Sequence, residues 1–336
     1  MCACSSTSFQ RARPRRASRP SQKEARRSAA ELRQIAVASP ELAWRLAEQP
    51  GAPPALVAAV AAGGAAAPPS LQDAAPDCAL ALVTIAQARP RFAQGVAEEP
   101  GALPALVAAV AAGGAAAAPS LQDTAPNCAV TLALIAQAGL QFARGVAEEP
   151  GALPALVAAV AAGGAAAAPK LQLAAANSTS ALLAVTRAGP ELARRMAEEP
   201  GTLPALVAAL AAGSAAAAAG LQCACANSVH ALGHMALAGV PGFARRVADE
   251  PGALPALVAA VAAGRGARAC QVQAAASHSS FLLDWVASAS PELARRVADE
   301  PGALPALVAA AAAGAAAPQP RPACKPRPRA VWRLWP

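Results

Sequence analysis

The chain has no tyrosine, three histidines and only 3% aromatic residues, although 55% of its 336 residues are hydrophobic. Alanine supplies most of that apolar content. Burying an alanine removes little surface from water, at about 25 cal/mol per Å². The sequence therefore predicts a thin core, modest stability per unit, and helices that approach closely through small side chains. Three histidines also leave little from which to build acid–base or nucleophilic chemistry. No Ser/His/Asp or Cys/His set recurs, and Gly113-Gly114 lacks the Lys-Ser/Thr that would complete a phosphate loop. The carboxylates are regularly spaced, unlike a perturbed pair in a pocket. A chain that is not an enzyme and takes no cofactor is expected.

Two further shortages narrow the class. The eight cysteines form no framework: Cys2, Cys4 and Cys324 lie near the ends, and Cys78 and Cys128 share a repeat position that later holds Ser178 and Ser228. A Cys/Ser exchange suits a small buried site, and a reducing compartment is expected. Long apolar runs are Ala-dominated, broken by Gly-Gly and Pro, and flanked by acidic pairs, whereas a membrane span needs about 20 strongly apolar residues. No membrane association is expected.

What the chain has is a repeat. Gly-Ala-Leu-Pro-Ala-Leu-Val begins at Gly101, Gly151, Gly252 and Gly302, with near copies at Gly51 and Gly201. The period is 50 residues, once 51, and the extra residue falls in GVPGFARR (239–246), where the preceding copy reads GPELARR (189–195).

Each copy reads as three helices. The first, PELARRMAEE in 190–199, sets Leu192 and Met196 four apart on one face. Ser39-Pro40-Glu41 and Ser290-Pro291-Glu292 read as a Ser cap followed by Pro at the first helical position. In the second helix Leu103, Leu106, Val107 and Val110 form one stripe, and Gly113-Gly114 end it. An Ala/Gly linker follows. The third segment covers 121–138, and Pro126 is expected to break it, leaving Asn127 to cap a helix over 128–138. Asp77, Asn177 and Asn227 take that place in other copies. Residues 29–50 read as the end of a third helix followed by a first helix. Five full units with a partial capping unit at each end result.

The GALPALV core before a short apolar helix, the Leu-Gln that opens a longer one, and PELARR together resemble the armadillo repeat over about 29–314, with HEAT repeats a close alternative. The resemblance implies an all-α, right-handed α-solenoid whose third helices line a groove for protein or peptide partners. Two features depart from that family. The unit is longer than the usual 40–47 residues, and the position of the family's peptide-gripping Asn holds Thr84, Leu134, Ala184, His234 and Trp285.

Charge divides the chain. Residues 1–30 carry eight Lys/Arg against Glu24 alone, and 315–336 carry five with no acid, so the net +8 leaves 15 basic and 19 acidic residues between. A mildly acidic body argues against nucleic acid along the repeats. Residues 1–28 read as a disordered basic arm, an organellar transit peptide or a nuclear-localisation cluster; 315–336 read as a Pro-rich tail in which Trp332 and Trp335 anchor a partner or dock on the last unit. The expected location is cytoplasmic, with chloroplast or mitochondrial import as the alternative, and the expected state a monomer.

Candidate binding residues are two polar columns at the 50-residue period: Asp77, Asn127, Asn177, Asn227, and Gln72, Gln122, Gln172, Gln222, Gln273. Each also has a structural reading as a cap or turn residue. Cys223, His230 and His234 lie near one helical face and are a weak zinc candidate, without the paired spacing of usual frameworks. Arg194, Arg195, Arg245, Arg246, Arg295 and Arg296 are placed to pair with acids one turn on. Three functions are compatible: a non-catalytic scaffold for protein or peptide, an organellar RNA-associated helical repeat, and a repeat-expansion product with no specific partner.

Overall fold

A computed structural model describes residues 22–49, 51–88, 90–214, 218–264 and 269–316. The two basic ends, with the arm and tail readings attached to them, fall largely outside these residues. Among the described residues the chain is all-helical. It opens with α1 (Gln22–Ala38), α2 (Pro40–Glu48) and α3 (Ala52–Ala62). The next third helix is split into α4 (Pro69–Gln72) and α5 (Ala75–Ala88). Then follow α6 (Pro90–Glu98), α7 (Ala102–Ala112) and α8 (Pro119–Gln137); α9 (Leu140–Glu148), α10 (Ala152–Ala162) and α11 (Pro169–Ala188); α12 (Pro190–Glu198), α13 (Thr202–Ser214) and α14 (Ala219–Leu237). The last are α15 (Phe243–Asp249), α16 (Ala253–Ala263), α17 (Cys270–Ala289), α18 (Pro291–Asp299) and α19 (Ala303–Ala316). The first helix thus starts inside the arm expected over 1–28.

Equivalent helices pack side by side along the chain. The second helices α3, α7, α10, α13, α16 and α19 each touch the next, and so do the third helices from α1 through α5, α8, α11 and α14 to α17. Between these rows the repeat fills a continuous core with the same residues in each copy. Leu56, Leu106, Leu156, Leu206 and Leu257 are buried, as are Leu82, Leu132, Leu182, Leu232 and Leu283 opposite. The last copy has no third helix among the described residues, and there Leu304 and Val308 of α19 are exposed.

The glycine that opens each GALPALV is left-handed, as at Gly101 with φ 80°, and turns the chain from one helix into the next. Ser39 and Ser290 cap α2 and α18 as expected, accepting from the Leu42 and Leu293 amides at 3.1 and 3.2 Å. Gly113 ends α7 as expected, and a close contact explains why glycine stands there. Its φ is −85°, and a Cβ there would fall on the Ala125 methyl, far inside contact distance. Gly63 faces Ala75, Gly163 faces Ala175, Gly213 faces Cys225 and Gly264 faces Ala276 in the same way. Glycine is required where the second helix meets the third.

Three expectations are corrected. Pro126 does not break the third helix: α8 runs through it, and α11 and α14 are unbroken as well. Asn127, Asn177 and Asn227 are therefore interior helical residues, not caps, and Asp77 lies in the first turn of α5. An interior proline costs about 3 kcal/mol, but α8 is flanked by α5, α7 and α11, and Leu121, Leu132 and Ile135 are buried among them. That burial outweighs the lost hydrogen bond, whereas in the first copy the chain does break, at 73–74. The arginines also differ from expectation. Arg245 reaches Glu292, and Arg296 reaches Asp249, across successive first helices at 2.9 and 2.6 Å, while Arg194 and Arg246 donate to the Ala238 and Ala197 carbonyls.

Gly163→Ala is expected to destabilise the protein by about 1–3 kcal/mol, since the Ala175 methyl cannot yield without moving a helix. Gly164→Ala has nothing within 4 Å to meet and should change stability by less than about 0.5 kcal/mol. Urea unfolding of the two variants checks the pair, and equal effects would refute the close-contact explanation.

Candidate functional site

Helical periodicity puts residues i, i+4, i+7, i+11 and i+14 on one face. On the third helices these are the positions left partly open to solvent. α5 presents Asp77, Leu80, Thr84 and Gln87, with Asp73 just before it at the end of α4, and α8 presents Asp123, Asn127, Val130, Leu134 and Gln137. α14 presents Cys223, Asn227, His230, His234 and Leu237. On α11 the same stripe holds Leu173, Ser180 and Arg187, with Asn177 and Ala184 buried between the neighbouring helices. Because consecutive third helices pack together, the stripes lie side by side and share register every 50 residues, or 51 into α17.

The two predicted polar columns separate in role. The Gln column belongs to the linkers. The Gln122 Nε2 donates to the Ala115 and Ala117 carbonyls at 3.1 and 3.2 Å, and Gln72 and Gln172 grip their own linkers likewise. Linker carbonyls that face no helix need such a donor. Gln222 and Gln273 hold the same place beside linkers that include 215–217 and 265–268, outside the described residues. The Asp/Asn column is on the stripe. Asp77 pairs with Arg33 of α1 at 3.3 Å. The Asn127 amide donates to the Asp123 carbonyl of its own helix at 3.3 Å. Asn177 is buried and donates to the Pro126 carbonyl of α8 at 2.9 Å, tying two copies together. Asn227 is half-exposed on α14.

The zinc candidate changes membership. His230 and His234 stand four apart with rings stacked at 4.9 Å and 23°. The residue brought against them is His278 of α17, its ring centroid 4.0 Å from that of His230. His278 occupies the Asp/Asn column, shifted by the extra residue near 240, so alignment of the column through that shift would have found it. All three histidines of the chain thus meet at one place. Among the described residues no three His, Cys, Asp or Glu side chains are disposed to hold a metal ion, and because imidazole lone pairs lie in the ring plane, rings stacked as His230 and His234 are do not aim them at a point between the rings. The His278 Nδ1 lies 2.8 Å from the Ala274 carbonyl. A carbonyl only accepts, so Nδ1 carries the proton and Nε2 keeps its lone pair. The His234 Nε2 is shielded from water and has no partner.

Among the described residues no carboxylate is among the charges that shift His230 or His234. Burial, then the charges of His278, His234 and Arg187, push His230 down to about 4. Burial, then Arg187 and His278, lower His234. The His230 and His234 rings therefore stay neutral at pH 7, with Arg187 the standing positive charge beside them. The buried Cys78, Cys128 and Cys225 thiols are held protonated by the same physics. Burial, with Asp77 adding, raises Cys78 to about 11, and burial raises Cys225 to about 12 and Cys128 further still. Among the described residues no single helix is long and apolar enough to cross a membrane.

Unfolded histidine takes its proton near 6.5, and His230 in the folded chain takes it only near 4. Its contribution to stability is present above pH 6.5 and lost as pH falls from there toward 4. His230→Gln should therefore lessen the drop in melting temperature between pH 7 and pH 5. The recovered stability is about 1 kcal/mol at most, because the ring is half open to solvent and screened. An unchanged drop would show that the ring does not carry this linkage. No family model matches the chain, and no curated protein matches it.

Proposed function

We propose that the chain is a non-catalytic scaffold: an armadillo-like right-handed α-solenoid that binds protein or peptide partners along the face formed by its third helices. One observation carries this reading. Within a single chain the buried leucine columns of the second and third helices are held constant while the open stripe varies. The buried leucine of GALPALV is the same in five copies, Leu56 through Leu257. The stripe column two turns before the helix end instead runs Leu80, Val130, Ser180, His230, Phe281, and the next runs Thr84, Leu134, Ala184, His234, Trp285. Packing requires the first set. The column Leu80, Val130, Ser180, His230, Phe281 lies outside that buried set, and a surface that reads different side chains of one extended partner gives it reason to vary.

The variable columns also argue against a product of expansion alone, which would copy stripe and core together. The stripe is mixed rather than basic, with Asp73, Asp77 and Asp123 at its N-terminal end, which disfavours an RNA groove.

Peptides selected from a random 12-residue library against the whole chain provide the test. Val130→Arg and Ser180→Arg, both half-exposed on the stripe, are expected to weaken the selected peptides at least about tenfold, a change of about 1.4 kcal/mol. Ala158→Arg, exposed on α10 in the other row, should leave binding unchanged. Equal losses at both places, or none at the stripe, would overturn the reading.

A further inference from the structure

The C-terminal half of the stripe collects ionisable nitrogen without a counter-charge. His230, His234 and His278 form one stacked group across α14 and α17, and Arg187 stands exposed on the stripe of α11, close enough for its charge to reach His230 and His234. Of the helices packed on α14, α11 contributes Arg187 and α17 contributes His278 and Asp284; α12 carries Glu191, Arg194, Arg195 and Glu198, α15 carries Arg245, Arg246 and Asp249, and α13 carries no charged residue. Glu191 and Glu198 on α12, Asp249 on α15 and Asp284 on α17 are not among the charges that shift His230 or His234. A cluster of this kind resists protonation until an anion arrives, and an anion lowers the cost of every proton it meets.

We propose that this cluster is a subsite for the carboxylate side chains of an acidic peptide segment, and that the segment binds more tightly as the pH falls through the histidine range. The inference rests on the binding face proposed above and gives its partner a chemistry at one end. Arg187 supplies the standing charge and a planar fork of donors suited to a carboxylate. His278 offers its Nε2 when protonated, since Nδ1 is already committed to the Ala274 carbonyl. The His234 Nε2 lacks a partner but is shielded from water, so a carboxylate reaches it only when the ring turns. The surroundings suit a side chain rather than a free ion: Leu237 and Phe281 are exposed beside the histidines and offer apolar contact to the carboxylate's own methylenes. At the other end of the stripe Asp123 is engaged by Lys170 and Asp77 by Arg33, so the open positive potential is confined to α11, α14 and α17.

The chain has three histidines, so histidine-labelled protein gives three ring resonances that report on this place alone. This matters because the basic ends would also attract an acidic peptide. Full-length protein is titrated from pH 7.5 to 5, alone and with hexaglutamate. With the peptide at least one ring should take its proton about one pH unit higher, equivalent to about tenfold tighter binding to the protonated form, and hexalysine should move none. Arg187→Gln, at an exposed position, should at least halve the displacement. His278→Gln should remove it at His230 while the far-ultraviolet dichroism stays native. Equal displacement by inorganic phosphate would make this a small-anion site and overturn the assignment to peptide. Stronger displacement by an oligouridylate would overturn it in favour of nucleic acid. Rings that ignore hexaglutamate, while library-selected peptides still depend on Val130 and Ser180, would defeat this inference alone. Loss of both would defeat the binding face as well.

Discussion

The close approach of the second helix to the third, glycine against alanine, governs this molecule. Gly63, Gly113, Gly163, Gly213 and Gly264 leave no space for a methyl group. A chain with so few large side chains has little apolar area per residue to bury, and dispersion falls off steeply with distance. Bringing two backbones into contact recovers packing that alanine cannot supply at ordinary separations. It also fixes the tilt and spacing of each third helix, and so decides which residues form the open stripe. The Gln72, Gln122 and Gln172 amides follow from the same contact, because the linker that permits it must turn back sharply and expose its carbonyls.

The repeat, its three-helix reading, the Ser39 and Ser290 caps and the leucine columns were legible because each rests on local periodicity or capping chemistry. The unbroken α8 was not. Proline's local cost argued for a break at Pro126, and the flanking helices that outweigh it lie 50 residues away on either side. Gly113 was legible as a helix end but not as a contact, for a Gly-Ala collision across twelve residues has no sequence signature separate from a stop signal. The candidate site was half legible. His230 and His234 announce themselves by their spacing of four. His278 needed the one-residue shift near 240 carried through the alignment, and Arg187 needed knowledge that α11 lies beside α14. The Gln column was visible as a pattern, yet its partners are backbone carbonyls, which sequence does not display.

Electrostatics along the third-helix face change sign with position. Asp73, Asp77 and Asp123 mark one end, Arg187 and the histidine cluster the other. The first group is largely neutralised by Arg33 and Lys170. In the second, Arg187 keeps its charge while His230 and His234 stay neutral by leaving their protons off, which makes the charge of this end depend on solvent pH. One face therefore holds a fixed pair of ion bridges and an adjustable group, built on an identical apolar frame.

Near-identical copies create an ambiguity of pairing during folding. The apolar surface that α11 offers to α8 is nearly the one α14 offers to α11, so hydrophobic contact alone scarcely distinguishes a neighbour from the copy beyond it. Lys170 is the one lysine in residues 29–314, and it meets Asp123. Arg33 meets Asp77, and Asn177 meets the Pro126 carbonyl. Each such bond adds about 1 kcal/mol or less, too little to hold the structure, but each exists for one pairing only. They serve as address labels: a docking that skips a copy would forfeit them, and the ordered array is the arrangement in which all are satisfied together.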